Sequence, residues 1–306
     1  MPPLSDAKAL NASYTSSYRP TALFVGGTSG CGQGTAEAFA RATQGHAHIL
    51  ICGRNREAAE KIIAVFPKHA ESKYEFVECD ATLMKNVVKA TEEIKHRISD
   101  AGGKSKLNYL VLSQGVMTMN PFDPTSEGID RRLALNFYSR WKFVDELIPL
   151  MENASSDGEE ARVMTILAPG IAGPLDTSDL GLKKNYSSAK ASKQGPAYTD
   201  NFIAEYSSRY PAISFIHIFP GWVNTPLFKN LPWYLRLILT SFSSVMARSI
   251  PDCGEYMASA LLNPAYKAGG FWLSSDGSPV LKEKLHVDDQ DARKQLVEHY
   301  TKEVSV

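Results

Sequence analysis

Short apolar runs alternate with longer amphipathic stretches along most of this 306-residue chain. The apolar runs have the length and composition of buried strands, and they lie at Ala22–Val25, His48–Cys52, Tyr74–Val77, Leu107–Leu112, Val163–Leu167, Ser214–Phe219 and Gly270–Leu273. The stretches between them have helical periodicity and include Ala58–Phe66, Leu83–Ile98, Arg131–Met151 and Ser188–Arg209. This alternation predicts an α/β fold, in which helices cover both faces of a doubly wound parallel sheet and ligands bind at the carboxyl ends of the strands.

Three segments depart from this pattern. Residues 1–19 are polar, and we expect a loose N-terminal arm before a single domain over residues 20–306. Ala168–Asn185 is a long loop rich in Gly, Pro, Asp, Ser and Thr. Residues 225–250 are rich in Leu, Phe, Trp and Tyr, which predicts either a lid over an apolar substrate or an ordinary core or subunit-contact helix.

Composition narrows the class of protein. Hydrophobic residues make up 43% of the chain, and 33 Lys and Arg balance 33 Asp and Glu, so the charge does not point to nucleic acid. No apolar run is long enough to span a bilayer, and residues 1–19 lack the apolar core of a signal peptide. The four cysteines have neither disulfide nor zinc spacing, which favours a reduced, cytoplasmic protein without a metal site.

A glycine-rich stretch after the first apolar run predicts a phosphate-binding turn. Gly26, Gly30 and Gly32 follow Val25 and lead into a helix-like segment. Glycine lets the backbone approach a pyrophosphate closely, and a helix N-terminus adds N–H donors and partial positive charge. The alternative is a glycine-rich surface loop, but the flanking strand and helix argue against it. The spacing G-x-x-x-G-x-G also differs from the common G-x-G-x-x-G fingerprint.

This wider spacing resembles that of short-chain dehydrogenases/reductases, and the chain looks most like their fungal members in secondary metabolism. The resemblance extends from Thr21 to about Thr225 and includes a P-G-x-V-x-T motif that begins at Pro220. It implies a Rossmann-type fold and a nicotinamide cofactor. The cofactor-binding residues that it implies are Gly26, Thr28, Ser29, Gly30, Gly32, Asp80, Ser113, Gly115, Lys190, Pro220, Val223 and Thr225. Asp80 would bond the adenine, or it could simply cap the helix that follows.

The residues after the second strand bear on the choice of cofactor. Gly53 stands where relatives that use NAD carry an aspartate for the ribose hydroxyls, and Arg54 follows it. A guanidinium offers a fork of donors to a 2′-phosphate, so we predict NADP(H). The alternative is that Arg54 is an ordinary exposed residue beside Asn55, a plausible helix cap.

Tyr186 and Lys190 are the candidate proton-transfer pair. The ordinary tyrosine pKa of about 10 is high for acid–base work near neutrality, and a nearby lysine lowers it. Residues four apart share a face of a helix. Tyr138 and Lys142 have the same spacing, but the family's tyrosine lies between the fifth and sixth strands, which selects Tyr186.

The resemblance implies that Asn136 holds a water of the proton relay, but it leaves the family's serine without a counterpart. Leu167 or Ala168 aligns with that serine, at the end of the fifth strand, and neither donates a hydrogen bond. Ser178, and after it Thr177, could supply a hydroxyl from the following loop.

We expect an apolar small-molecule substrate. The sequence allows a homo-oligomer but does not decide the oligomeric state. The candidate pocket residues are Ala168, Pro169, Trp222, Leu227 and Trp233. The leading function is an NADP(H)-dependent oxidoreductase that acts on a ketone or alcohol, such as a polyketide or terpenoid intermediate. One alternative is a non-redox isomerase, dehydratase or cyclase in which Tyr186 moves protons. The other is a non-catalytic NADP-binding regulator.

Overall fold

A computed structural model describes residues 2–99, 104–225 and 247–305. Its strands are β1 Thr21–Val25, β2 His48–Gly53, β3 Lys73–Glu78, β4 Tyr109–Leu112, β5 Arg162–Ile166, β6 Ser214–Ile218 and β7 Gly269–Leu273. Its α-helices are α1 Leu4–Ala12, α2 Gly30–Ala42, α3 Arg56–Ala64, α4 Met84–Ile98, α5 Arg131–Leu133, α6 Ser139–Ser156, α7 Ser188–Arg209, α8 Ile250–Leu262 and α9 Gln290–Glu303. A π-helical turn, Ala134–Tyr138, joins α5 to α6, and Pro264–Tyr266 and Lys282–Lys284 form short 3₁₀ turns.

The seven strands form one parallel sheet in the order β3-β2-β1-β4-β5-β6-β7. All seven predicted strands are present, and the α/β, doubly wound fold class is confirmed. The strand order reverses between β1 and β4, which opens a crevice at their carboxyl ends. Val25, at the end of β1, is in register with Cys52 of β2 and with Leu112 of β4. Residues that follow these three strands therefore meet at one edge of the sheet.

Two apolar clusters lie on opposite faces of the sheet. Leu23 and Val25 of β1 belong to one cluster, and Ala22 and Phe24 belong to the other, as expected for alternating side chains. Strands buried on both faces are apolar throughout, which is why they were recognisable in the sequence.

The N-terminus is a packed helix over residues 4–12, so the prediction of a loose arm is wrong there. Helix α1 packs on α8, and Ala7 and Asn11 are buried. The Asn11 amide donates to Glu255 Oε2 at 2.6 Å and to the Glu255 carbonyl at 3.0 Å. Arg41 of α2 forms an ion pair with the same carboxylate at 2.9 Å. Pairing of the buried amide and carboxylate holds α1 in place.

None of the helices in the described part of the chain combines the length and apolarity needed to cross a membrane. The four cysteines, all within that part, are free thiols. Most of the predicted lid, residues 226–246, lies outside the described residues, as do the pocket candidates Leu227 and Trp233.

Candidate active site

The glycine turn connects β1 to α2 and packs against the end of β4. Gly26 and Gly30 have φ angles of +77° and +58°, in the left-handed region that favours glycine. A Cβ on Gly26 would lie 2.6 Å from the backbone nitrogen of Gln114, and one on Gly32 would overlap Ser113 Oγ. Both positions therefore require glycine, and the turn is fixed against the residues that follow β4.

The N-terminus of α2 keeps its hydrogen-bond donors available. Ser29 is the N-cap residue, but its side chain makes no capping hydrogen bond, and the first turn contains no acidic residue. The first N–H groups of a helix have no acceptor within the helix, and they carry partial positive charge. This turn, over residues 29–32, therefore fits the pyrophosphate of a dinucleotide.

Thr28 and Arg54 lie on the β2 side of the turn. A Cβ on Gly53 would lie 2.9 Å from Thr28 Cγ2, so Thr28 covers the end of β2. Asn55 caps α3 by accepting from the Ala58 nitrogen at 3.0 Å. Arg54 itself is exposed, and no carboxylate of the described residues pairs with it. Its guanidinium is thus available to an added phosphate.

Asp80 holds the turn after β3. Its Oδ1 accepts from the Thr82 nitrogen at 3.1 Å and from the Thr82 hydroxyl at 2.9 Å. The N-cap of α4 is Leu83. The alternative role of Asp80, as the cap of this helix, is therefore wrong.

Tyr186 lies just before α7, and the expectation that it shares a helix face with Lys190 is wrong in this structure. Ser187 has extended φ and ψ angles of −145° and 150°, and its side chain accepts from the Lys190 nitrogen at 3.1 Å. This cap starts the helix at Ser188, which leaves Tyr186 outside it. Lys190 is exposed in the first turn.

The Tyr186 hydroxyl lies instead in the field of Asp130, the N-cap of α5, and of Arg132 in its first turn. It interacts with the side chains of Asp130 and Arg132, and its ring packs edge-on against Phe122 at 5.6 Å. Burial, and then the Asp130 carboxylate, raise the pKa of Tyr186, while Arg132 opposes them. Arg132 also donates to the Ser188 carbonyl at 2.7 Å, which ties this pair to the start of α7.

Tyr138, the competing tyrosine, lies in the core. Its hydroxyl is 2.7 Å from His299 Nε2, and burial raises its pKa well above the ordinary value. Lys142 is paired with Glu146 at 3.1 Å.

Asn136 lies in the π-helical turn, between the end of β4 and α7. A Cβ on Gly115 would lie 3.0 Å from Asn136 Oδ1, and one on Gly195 would lie 3.1 Å from Asn136 Cβ. The buried Oδ1 has no protein partner. Buried acceptors are ordinarily satisfied, so this oxygen is suited to hold a water beside the exposed Gly115.

A buried pair that the sequence analysis missed holds the loop after β5. The Ala168 N–H donates to His217 Nε2 at 3.1 Å, and His217 Nδ1 is 2.6 Å from Asp200 Oδ1. A backbone N–H can only donate, so Nε2 accepts and Nδ1–H donates to Asp200. Asp200 Oδ2 also accepts from the Gly170 nitrogen at 2.9 Å. The signal in the sequence was a histidine within an otherwise apolar strand.

The alternative hydroxyl, Ser178, is exposed. It donates to Asp176 Oδ1 at 2.6 Å, and its backbone nitrogen bonds the same oxygen at 3.1 Å. In the described part of the chain, no hydrogen bond joins Ser178 to Tyr186. Thr177 adjoins it in the same loop, and that loop's Ala168 is half-buried and Pro169 buried.

The loops after β4, β5 and β6 present exposed apolar side chains, which we call the apolar rim: Met117, Met119, Ile171 and Trp222. Trp222 is 61% exposed. Val223 beside it is buried, and Thr225 approaches the glycine turn, since a Cβ on Gly30 would lie 3.2 Å from Thr225 Cγ2. The motif that begins at Pro220 therefore reaches the start of α2. No group of three or more metal-ligating side chains occurs among the described residues.

Comparison with known proteins agrees with this arrangement. Residues 20–233 match the family model described as short chain dehydrogenase. An oxidoreductase of Emericella nidulans is 33% identical over 228 residues, which cover 74% of this chain but only 65% of that protein. Oxidoreductase andH of Emericella variicolor is 30% identical over 269 residues, or 87% of this chain and 77% of its own length.

Solved structures share the fold. A 3-ketoacyl-(acyl-carrier-protein) reductase from Brucella melitensis, whose crystal structure contains NADH, superposes with a TM-score of 0.63. The match covers 86% of this chain and 99% of the reductase at 19% identity, a likeness that concerns the fold alone.

Proposed function

Since this chain belongs to the short-chain dehydrogenase family, we propose that it is an NADP(H)-dependent oxidoreductase that reduces a ketone, or oxidises an alcohol, of an apolar small molecule. The sequence resemblance to fungal members of secondary metabolism makes a polyketide or terpenoid intermediate the proposed substrate class. The observation that carries the proposal is the glycine turn over residues 26–32, whose uncapped helix N-terminus packs against Ser113 and Gln114 at the crevice.

The chain offers a separate group for each part of the cofactor. N–H groups at the start of α2, with Thr28 and Ser29, would hold the pyrophosphate. Arg54 would bind the 2′-phosphate, and Asp80 the adenine. The nicotinamide end would be held by residues after β4 and β6 and by Lys190; these are Ser113, Gly115, Pro220, Val223 and Thr225. When bound, the cofactor supplies or accepts the hydride.

Tyr186 would give the proton to the carbonyl oxygen, and Lys190 would favour its phenolate. For Lys190 to act on Tyr186 in this way, α7 must begin early enough to include Tyr186. Tyr186 would then move away from Asp130 and Arg132 and lie on the same helix face as Lys190. The open acceptor of Asn136 supports its assignment as the holder of a relay water. Ser178 remains the first candidate for the missing hydroxyl and Thr177 the second.

The apolar rim supports the apolar character of the substrate. Exposed apolar side chains on three loops at the same edge of the sheet favour contact with an apolar molecule there. Together with Ala168 and Pro169, they lie at the edge of the sheet where the substrate must approach the cofactor.

A second function has specific support. Ala168 supplies no hydroxyl, and the charged groups that act on Tyr186 are Asp130 and Arg132 rather than a lysine. Such a cluster can move a proton without a hydride, which favours a non-redox isomerase, dehydratase or cyclase on the same fold.

Two measurements separate these functions. Titration of the protein with NADPH and with NADH, followed by cofactor fluorescence, tests binding. Loss of NADPH absorbance with a panel of apolar cyclic and aliphatic ketones, beside a matched panel of polar ketones, tests redox chemistry, with Tyr186→Phe as the inactive control. Binding without consumption by any ketone would favour the non-redox function, and failure to bind either cofactor would refute the proposal.

A further inference from the structure

Arg140, in the first turn of α6, forms hydrogen bonds with residues at the carboxyl ends of both β4 and β5. Its Nη1 donates to the Thr165 hydroxyl at 2.6 Å and to the Ile166 carbonyl at 2.9 Å. Nη1 also lies 3.1 Å from the Leu112 carbonyl, while Nη2 donates to the Gln114 carbonyl at 2.6 Å and Nε to the Leu135 carbonyl at 3.3 Å. Every acceptor of this guanidinium is an uncharged oxygen.

The charge of Arg140 has no counter-ion. It is 1% exposed, and no carboxylate of the described residues lies within ion-pair distance. The contrast is Arg162, which is equally buried but lies at the amino end of β5 and is paired with Glu160 at 2.5 Å. The chain thus neutralises Arg162 and leaves Arg140 as a net positive charge.

Burial of an unpaired cation is unfavourable. Desolvation lowers the pKa of Arg140 to about 9, which still leaves the group charged at neutral pH. Carbonyl oxygens satisfy its donors but do not cancel its charge, so a positive potential persists around it. A guanidinium has the donors for all five surrounding oxygens, and it brings a positive charge to this place whether or not a carboxylate is near.

The position of Arg140 suggests where that potential acts. A Cβ on Gly115 would lie 3.8 Å from Arg140 Nη2, and Gly115 is exposed at the open edge of the sheet. Gly115 follows β4, on the side of the crevice away from the adenosine-side residue Arg54. A dinucleotide that crosses the crevice from the glycine turn would lay its nicotinamide half over β4 and β5.

We propose that Arg140 is a specificity-determining residue that biases the site toward the reduced form of the nicotinamide cofactor, whose ring is uncharged. This inference rests on the proposed function. The oxidised ring carries a positive charge and the reduced ring carries none, so a fixed cation beneath the site repels only the oxidised form. For charges near a protein surface, this repulsion corresponds to about a tenfold difference in affinity. The bias favours use of the enzyme as a reductase.

Binding constants for the two redox forms test the proposal without any substrate. Calorimetric titration at pH 7.5 with NADPH and with NADP⁺ gives the ratio Kd(NADP⁺)/Kd(NADPH), which should be about ten or more in the unaltered protein. Arg140→Met should lower this ratio about tenfold. Arg140→Lys keeps the charge and should preserve the ratio, even if both forms bind more weakly. Arg162→Met removes a buried cation at the opposite end of β5 and is the matched control, with an unchanged ratio.

A purely structural role for Arg140 predicts a different result. In that case, Arg140→Met weakens both redox forms by the same factor and leaves the ratio intact, which would overturn the inference. If Arg140→Met does not fold, the unaltered protein decides, since equal affinity for the two forms also overturns it. If the protein bound only NADH and NAD⁺, the NADP(H) assignment would be refuted. The ratio Kd(NAD⁺)/Kd(NADH) in the same variants would then test the role of Arg140. Failure to bind any of the four would refute the proposed function together with this inference.

Discussion

His217 on β6 and Asp200 on α7 form a fully buried hydrogen bond of 2.6 Å, and through it they hold the loop after β5. Each partner also bonds a backbone nitrogen of that loop, at Ala168 and Gly170. In this family that loop begins where the substrate carbonyl is bound. The pair therefore couples two core elements to the floor of the candidate site.

Breaking this pair should destabilise the protein strongly. Asp200→Ala removes an acceptor for both the His217 ring and the Gly170 nitrogen, and we expect a loss of about 3 kcal/mol in the free energy of unfolding. Denaturant unfolding measures it. His46 and Glu71 form a surface pair at 2.9 Å, and His46→Ala is the control, with no measurable change expected. Equal effects of the two variants would contradict the role given to the buried pair.

Tyr186→Phe should abolish most turnover and preserve the fold. It removes only the hydroxyl, and a positioned acid or base is worth about two orders of magnitude in rate. Tyr138→Phe is the matched control. It removes the hydrogen bond to His299, so we expect a loss of about 1 kcal/mol in stability and no loss of turnover. Steady-state rates and thermal unfolding of both variants check this. If Tyr138→Phe lost turnover and Tyr186→Phe did not, the assignment of the chemistry to Tyr186 would be wrong.

Arg54→Ala should erase most of the preference for NADP(H) over NAD(H). Loss of a charge-assisted bond to the 2′-phosphate corresponds to about 2 kcal/mol in binding free energy. Arg56→Ala is the control, because the Arg56 guanidinium lies over the Phe76 ring at 4.8 Å and not at the end of β2. Titrations with both cofactors give the four constants. An unaltered protein that binds NADP(H) and NAD(H) equally would exclude a 2′-phosphate role for Arg54.

Asp145 should make stability depend on pH. Tyr206 and Tyr300 donate to its two oxygens at 2.5 and 2.6 Å, but burial outweighs these bonds and raises its pKa above 3.8. The folded state then binds a proton that the unfolded state has released, so this contribution to stability is full below pH 3.8 and falls as pH rises through the raised pKa. Asp145→Asn should remove that fall. Unfolding free energies of both proteins from pH 4 to pH 7 measure the difference, and parallel curves would rule it out.

The fold was predictable from the sequence because most strands of this covered parallel sheet are apolar runs, although the edge strand β3 contains three charged residues. Even the bounds of α7, Ser188–Arg209, followed from the residue pattern. Helix α1 was missed because its buried positions include the polar Asn11, whose partner Glu255 is distant in the chain.

The candidate site was only partly predictable. The glycine turn is a local motif, since neighbouring residues form it. Arg140 and His217 look like ordinary polar residues in the sequence, and their roles depend on which strand ends they meet. The Tyr186 and Lys190 spacing could not reveal that Ser187 caps the helix between them.

The docking of α1 also bears on the order in which the chain is made. The Tyr256 hydroxyl bonds the Pro2 carbonyl, and Asn11 bonds Glu255, so α1 contacts residues that are synthesised more than 240 positions after it. Contacts of such separation form late because a long loop must close first. During synthesis on the ribosome, the first helix therefore waits without its partner while most of the sheet emerges, and it docks only after α8 has appeared.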